Sequence, residues 1–291
     1  MNDNKNQVLG GTLYLVTTPI GNMSDITYRA IKVLNEVDLI FCEDTRNTKV
    51  LLAHYNISTP LKSYHIFNED ERVNEIIELL KAGNIIALVS DAGYPGISDP
   101  GYLVCKKAIE NGFNVSTIPG ATASLTALVT SGIPCEKFYF HGFLSHTKSQ
   151  KIKELEELID FDKTMIFYES PHRIKETIYA MRDVYKNRNV CIARELTKKY
   201  EEYIRFNLED CDQINLDLKG EMVIICEGAK LNSVALELNA LSIQEHFEYY
   251  LKKINDSKEA MKKVAKDRGV SKSIIYKELQ KKIIKRRKQW N

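Results

Sequence analysis

Residues 85–101 read Ile85-Ile86-Ala87-Leu88-Val89-Ser90-Asp91-Ala92-Gly93-Tyr94-Pro95-Gly96-Ile97-Ser98-Asp99-Pro100-Gly101. The first five residues are apolar without a break, as expected of a strand covered on both faces of its sheet. The next twelve hold three glycines, two prolines and two aspartates, so the strand cannot continue. A helical pattern follows over residues 102–110, closed by a further strand at 113–118. Strand, loop and helix in this order make half of a parallel β/α unit, and loops at the carboxyl ends of such strands are where α/β sheets take ligands. The glycines let a ligand approach backbone amides. Asp91 suits ribose hydroxyls or an ammonium group, while Asp99 reads as the cap of the next helix.

The alternation extends in both directions. Residues 12–17 predict a strand that ends in the turn Pro19-Ile20-Gly21-Asn22. A helix is expected from about Ser24, with Ile26, Ala30, Ile31 and Leu34 on one face. Residues 38–42 predict a second strand, and a helix over 71–81 stops at Gly83. This is an α/β domain with a largely parallel sheet, assigned to residues 1–117. Strands at 138–140, 164–168, 190–193, 203–206 and 222–226 build a second α/β domain, residues 118–230. Its last three strands have little helix between them, which predicts antiparallel pairing.

Residues 236–291 are wholly helical in pattern. Asp256 with Glu259 reads as a capping box, and Ala260, Val264 and Ala265 form a small apolar face. Gly269 breaks the helix, and Ser271 is placed to cap a second one carrying Ile274, Ile275 and Leu279. The layout is that of a helix-turn-helix, or of an αα-hairpin used for packing.

Charge separates this tail from the rest. The chain has 291 residues and a net charge of +2. Residues 236–291 alone carry +8, so the body carries −6. A basic appendage on an acidic body points to a polyanion, with nucleic acid the first candidate. The composition, 44% hydrophobic and 27% charged, excludes a disordered or fibrous chain. No apolar run is long enough to span a membrane, and no secretory leader is legible, so a cytoplasmic protein is expected. Six well-separated cysteines give no zinc-ligand spacing and read as free thiols.

There is no G-x-G-x-x-G, no phosphate-binding P-loop and no G-x-S-x-G elbow. What stands out is a set of polar clusters at strand ends. Glu43-Asp44-Thr45-Arg46 follows the second strand. Tyr64-His65 and Asn68-Glu69 lie in a loop. Tyr168-Glu169-Ser170-Pro171-His172-Arg173 and Arg194-Glu195-Leu196-Thr197-Lys198 end two later strands. Ile118-Pro119-Gly120-Ala121-Thr122-Ala123-Ser124 brings small residues to a helix start, where free amides suit an anionic ligand. Any single member of the polar clusters reads more readily as a structural ion pair or cap than as a catalyst, but four such clusters at strand carboxyl ends together point to a site.

The motifs LYLVTTPIGN, CEDTR, SYHIFNE, SDAGYPGISDPG, IPGATAS, FYESPHR, ARELTK and KGEMVI occur in the order seen in one family. The sequence resembles the 16S ribosomal RNA (cytidine 2′-O)-methyltransferases, a branch of the tetrapyrrole methylase superfamily. Tyr94 stands where that family usually has Thr, and Ser145-His146-Thr147-Lys148 departs from its usual Pro and basic residues. The resemblance implies a two-domain, non-Rossmann methylase fold with a C-terminal helix-turn-helix. It also implies S-adenosylmethionine in the cleft, a homodimer and the small ribosomal subunit as partner, with no membrane or metal. Carried over by motif, Pro19, Ile20, Asp91, Ala92, Gly93, Ile97, Thr122, Ala123, Tyr168, Arg194, Glu221 and Met222 would line the cofactor. The reaction implied is methylation of a decoding-site cytidine on its ribose oxygen. Glu43 and Asp44 are the candidate bases, Arg46 their orienting partner, with His65 and Glu69 as second choices. Arg173, Lys198, Lys285, Arg286 and Arg287 are candidate phosphate contacts. The rival readings are a precorrin- or uroporphyrinogen-type small-molecule methylase and a non-enzymatic nucleic-acid-binding regulator.

Overall fold

The computed structural model describes residues 7–229 and 238–288, the last eight as backbone alone. These residues form two compact units that divide after Gly228. The stretch where the second domain was expected to give way to the tail lies mostly outside the described residues.

The larger unit carries two five-stranded sheets. The first is built from β1 (Thr12–Val16), β2 (Leu39–Cys42), β3 (Leu61–Ser63), β4 (Ile86–Val89) and β5 (Asn114–Ile118) in the order β3-β2-β4-β1-β5. Every pairing in it is parallel. The helices between them are α1 (Tyr28–Glu36), α2 (Thr45–His54), α3 (Glu69–Lys81) and α4 (Tyr102–Glu110). Residues of alternating parity divide the sheet between two cores. Tyr14, Val16, Ile40, Cys42, Ala87 and Val89 meet α1 and α2 on one face. Leu13, Phe41, Ile86 and Leu88 meet α3 and α4 on the other. The sheet is therefore buried on both sides, which is why its strands read as unbroken apolar runs.

Strand order explains where a ligand would go. The crossover from β1 runs past β4 to β2, and the crossover from β4 runs past β1 to β5. The two leave neighbouring strands in opposite directions, so their helices cover opposite faces and a crevice opens at the strands' carboxyl ends. An isolated two-residue bridge spans that point. The Thr18 amide donates to the Gly93 carbonyl at 3.0 Å, and the Gly93 amide returns the bond at 3.1 Å.

The first helix starts later than expected. Asn22 caps a short 3-10 turn at Met23–Asp25, and α1 begins at Tyr28 with the Thr27 hydroxyl accepting the Ala30 amide. The later start buries Ala30, Val33 and Leu34 and leaves Ile26 and Ile31 only partly covered.

Past β5 come α5 (Ala123–Thr130), β6 (Phe138–Phe143), α6 (Lys148–Glu157), β7 (Thr164–Glu169), α7 (Ile174–Tyr185), β8 (Asn189–Arg194), β9 (Glu202–Asn207) and β10 (Met222–Cys226). The second sheet runs β6-β7-β10-β8-β9. β6 pairs parallel with β7, and the remaining pairs are antiparallel, as the short connections predict. One face packs on α6 and α7. The other receives Ala127 and Leu128 of α5 together with Ile20 from the turn after β1. Ile20 thus ties the first sheet to the core of the second.

The smaller unit holds α8 (Ile243–Ile254), α9 (Ser257–Asp267) and α10 (Lys272–Lys288). Asp256 caps α9 by accepting the Lys258 and Glu259 amides. The expected reciprocal arm of the capping box is replaced, because the Glu259 carboxylate bonds Lys262 instead. The complete box lies one helix earlier, between Ser242 and Glu245. Ala260, Val264, Ala265, Ile275 and Leu279 are buried together, while Ile274 is exposed. Among the described residues no helix is long and apolar enough to cross a membrane.

Candidate active site

The crevice is walled by the chain that leaves β1, β2, β4 and β5. Its polar content comes from β2 and β4. At the end of β2, Asp44 turns the chain into α2. Its carboxylate accepts the Arg46 amide at 2.8 Å and holds the Arg46 guanidinium through two nitrogens, the shortest contact being 2.6 Å. These bonds hold the Asp44 pKa down at about 2. Asp44 is a cap with a fixed ion-pair partner, too weak a base to take a proton at neutral pH.

Asp91, on the loop after β4, sits at the start of the same helix. It accepts the Asp44 amide at 3.2 Å and the Asn47 side chain at 2.8 Å. Asn47 is one residue past the cluster singled out in the sequence, and only the helical turn brings it round to Asp91.

Two further carboxylates face this point without hydrogen bonds of their own among the described residues. Glu43 lies half-buried beside Asp91. Burial raises its pKa first, then the charges of Asp91 and Asp44, with His65 opposing them. Asp99 is also half-buried. Burial raises it most, followed by Glu43 and Asp91, and together they push it up to about 7. The expectation that Asp99 caps α4 is overturned. Gly101 occupies the N-cap, and no side chain bonds the first turn. Ser98, just before Asp99, has a φ of +63°, a strained value for a residue with a β-carbon.

The opposite wall belongs to α5 and the second sheet. Thr122 is the N-cap of α5, but its hydroxyl pairs with Ser124 at 3.0 Å and makes no cap bond. Tyr168 of β7 stacks edge-on against Phe140 and Phe143. Burial raises its pKa, hydrogen bonds to Ser124 and Thr122 oppose that, and the charge of Asp99 adds to it. Tyr94 reaches across to accept the Gly120 amide at 3.3 Å.

The remaining sequence candidates divide by what holds them. Pro19 and Ile20 are buried, with Ile20 in the second-sheet core, while Ala92 and Ile97 are exposed. Ala123 opens α5, and Met222 is buried at the start of β10. His65 has a buried Nδ1 with no partner among the described residues. Glu69 accepts the buried Tyr64 hydroxyl at 2.7 Å, a bond that ties α3 to the sheet.

Arg194 points elsewhere. It donates to Glu202 at 2.6 Å and to the Lys219 carbonyl at 3.2 Å, and lines a separate groove of about 580 Å³ with Gln213, Asn215 and Asp217. Lys198 bonds Glu195 at 3.0 Å and Glu221 at 2.8 Å. Burial lowers the Lys198 pKa, but these two bonds outweigh it and the net shift is upward. Glu195 and Thr197 both have positive φ, so this loop is strained and pinned by its ion pairs. It also receives the turn after β1 at close range, since a β-carbon on Gly21 would lie 2.6 Å from Lys198 Cγ.

Arg173 is likewise committed. It donates to the Leu144 and Ser145 carbonyls at 2.6 and 3.0 Å and pairs with the buried Glu169 at 3.3 Å. Its guanidinium braces the chain after β6. Lys285, Arg286 and Arg287 fall on the backbone of α10, with side chains beyond those described.

An all-parallel sheet with a carboxylate-lined crevice, joined to a mixed sheet, defines a class of two-sheet methylases. Residues 12–212 match the family model of the Tetrapyrrole (Corrin/Porphyrin) Methylases. Solved structures of the same fold include diphthine synthase (TM-score 0.58, 14% identity, covering 74% of this chain and 89% of that one). Another is a Thermus thermophilus uroporphyrin-III C-methyl transferase described as complexed with S-adenyl homocysteine (TM-score 0.52, 16% identity, covering 74% and 97%).

Two curated relatives are each named ribosomal RNA small subunit methyltransferase I. That of Bacillus subtilis is 48% identical over 275 residues, covering 91% of this chain and 93% of its own. That of Haemophilus influenzae is 44% identical over 225 residues, covering 76% and 80%. The chain belongs to the tetrapyrrole methylase family, in its ribosomal RNA small subunit methyltransferase I branch.

Proposed function

We propose that the protein transfers a methyl group from S-adenosylmethionine to the ribose 2′-oxygen of a decoding-site cytidine in 16S rRNA, within the small ribosomal subunit and in the cytoplasm. The observation that carries the reading is 48% identity through 91% of the chain to a relative named as an rRNA methyltransferase. The basic helical tail supports it, since a small-molecule methylase has no use for one.

The crevice residues fit the proposed donor. Glu43 and Asp91 gather negative charge where a sulfonium and an ammonium group would be held. Thr122 and Ala123 offer backbone amides at the start of α5, and Gly93 adds no side-chain bulk. When bound, the donor supplies a methyl carbon already activated for displacement. The protein's task is then to align the ribose hydroxyl with it and exclude water, and such alignment is worth about 7–11 kcal/mol. A second copy of the chain is the proposed partner of the exposed Leu125 and Val129 on α5.

The test is incubation with methyl-labelled donor and small subunits lacking the modification, followed by digestion to nucleosides. Label in 2′-O-methylcytidine is expected. Donor binding without labelled RNA would transfer support to the small-molecule reading.

A further inference from the structure

We propose that Asp99 is the group that accepts the proton of the attacking ribose hydroxyl, with Glu43 and Asp91 holding it ready. The inference rests on the 2′-O reading, in which a weakly acidic ribose hydroxyl must shed its proton as it attacks.

The argument is by commitment of side chains. Asp44 is bound to Arg46 and caps α2. Asp91 accepts from Asn47 and from the Asp44 amide. Glu69 accepts from Tyr64, and Glu169 from Thr177 and the Ser170 amide. Glu195 and Glu221 share Lys198. Among the described residues of the crevice, Glu43 and Asp99 are the carboxylates left without a hydrogen bond. Glu43 feels only groups of the first sheet and its loops: Asp91, Asp44 and His65. Asp99 faces Glu43 and Asp91 from the first sheet, and its charge is felt by Tyr168 of the second. It therefore sits between the two walls.

The backbone agrees. Asp99 is not spent on capping α4. The strained Ser98 lies against the β6 bulge, where a β-carbon on Gly142 would be 3.5 Å from Ser98 Oγ. Strain of this kind persists where surrounding structure fixes it, and it clusters at functional sites. With a pKa pushed up to about 7, Asp99 is a far stronger base than an ordinary carboxylate, yet is largely ionised just above neutrality.

The step balances. The ribose oxygen forms its bond to the methyl carbon as the carbon–sulfur bond breaks. The bonding electrons pass to sulfur, which becomes a neutral thioether. The hydroxyl proton goes to the Asp99 carboxylate and then to solvent.

The experiment compares the full-length protein with Asp99→Asn, Asp99→Glu and Glu43→Gln. Single-turnover transfer to small subunits is followed across pH, donor affinity by calorimetry, and carboxyl titration by carbon NMR. Asp99→Asn should slow transfer by about 100-fold or more and remove the acidic limb of the rate profile. Its donor affinity should stay within about threefold of the parent, and Asp99→Glu should recover part of the rate. The carboxyl titrating near neutrality should be present in the parent and absent from Asp99→Asn. Glu43→Gln removes a like charge and should shift both the limb and that titration to lower pH. A parent that makes 2′-O-methylcytidine while Asp99→Asn keeps a rate within about threefold overturns the assignment. So does loss of the limb in Glu43→Gln, which would make Glu43 the base. Label on a base atom in the parent overturns the 2′-O reading instead.

Discussion

Asp44 and Glu43 are neighbours in sequence with opposite chemistry, and only their contacts distinguish them. Asp44 is locked to Arg46 and ionised throughout the range in which the protein works. Asp44→Asn is therefore expected to leave the midpoint of the acidic limb of the transfer rate in place, to be checked by single-turnover rates from pH 5 to 9. A moved midpoint would put Asp44 back among the titrating groups. The sequence showed that acids and bases gather at strand ends, but not how they pair. Arg173, Lys198 and Arg194 all looked available, and each proves bound by acceptors that lie 3 to 29 positions away in the chain. Asp99 was misjudged for the same reason. An Asp three residues before a helix reads as its cap, and nothing local reveals that Gly101 takes the place.

The loop after β4 shows what was legible in elements. Its strand and helix were readable because unbroken apolar runs and glycine stops are local signals, and α4 and β10 fall at the residues expected. Helix α2 and the three-residue β3 went unread. α2 carries a weak apolar pattern, and β3 is held by pairing to β2 more than by its own residues. The loop's path depends on Gly101, with φ +148° and a missing β-carbon that would lie 3.0 Å from the Gly96 nitrogen and 3.2 Å from Gly96 Cα. Both neighbours are backbone and cannot swing aside. Gly101→Ala should lose about 1–3 kcal/mol, read from the urea midpoint, and should weaken donor binding with it.

The helical unit makes an element-scale prediction of its own. Buried His246 accepts from Arg268 at Nδ1 and so donates to Asp267 from Nε2, which fixes it neutral. Burial lowers its pKa foremost, with Arg268 adding and Asp267 opposing. The unfolded chain binds the proton first as pH falls. Stability from this group is thus full above the ordinary imidazole value of 6.5 and lost below it. Amide protection in α8 to α10, corrected for the intrinsic exchange rate, should fall between pH 7 and 5, and His246→Gln should flatten that dependence.

At the scale of the whole molecule, charge divides along the chain more sharply than composition suggests. The +8 of residues 236–291 against −6 elsewhere gives an acidic catalytic unit, whose carboxylates suit a cationic donor, and a basic helical unit suited to phosphates. An acidic crevice repels RNA at long range, so attraction to the substrate must come from the basic residues, and attraction of that origin depends on salt. Phosphate contacts release about 0.7 to 0.9 counterions each, so replacing Lys285, Arg286 and Arg287 together by Gln should lower the slope of log affinity against log salt by about 2 to 3. The measurement is small-subunit binding between about 50 and 200 mM salt, with donor affinity measured alongside. An unchanged slope with intact donor binding would take these residues off the RNA and leave the lysines of α9 and the start of α10 to supply the attraction.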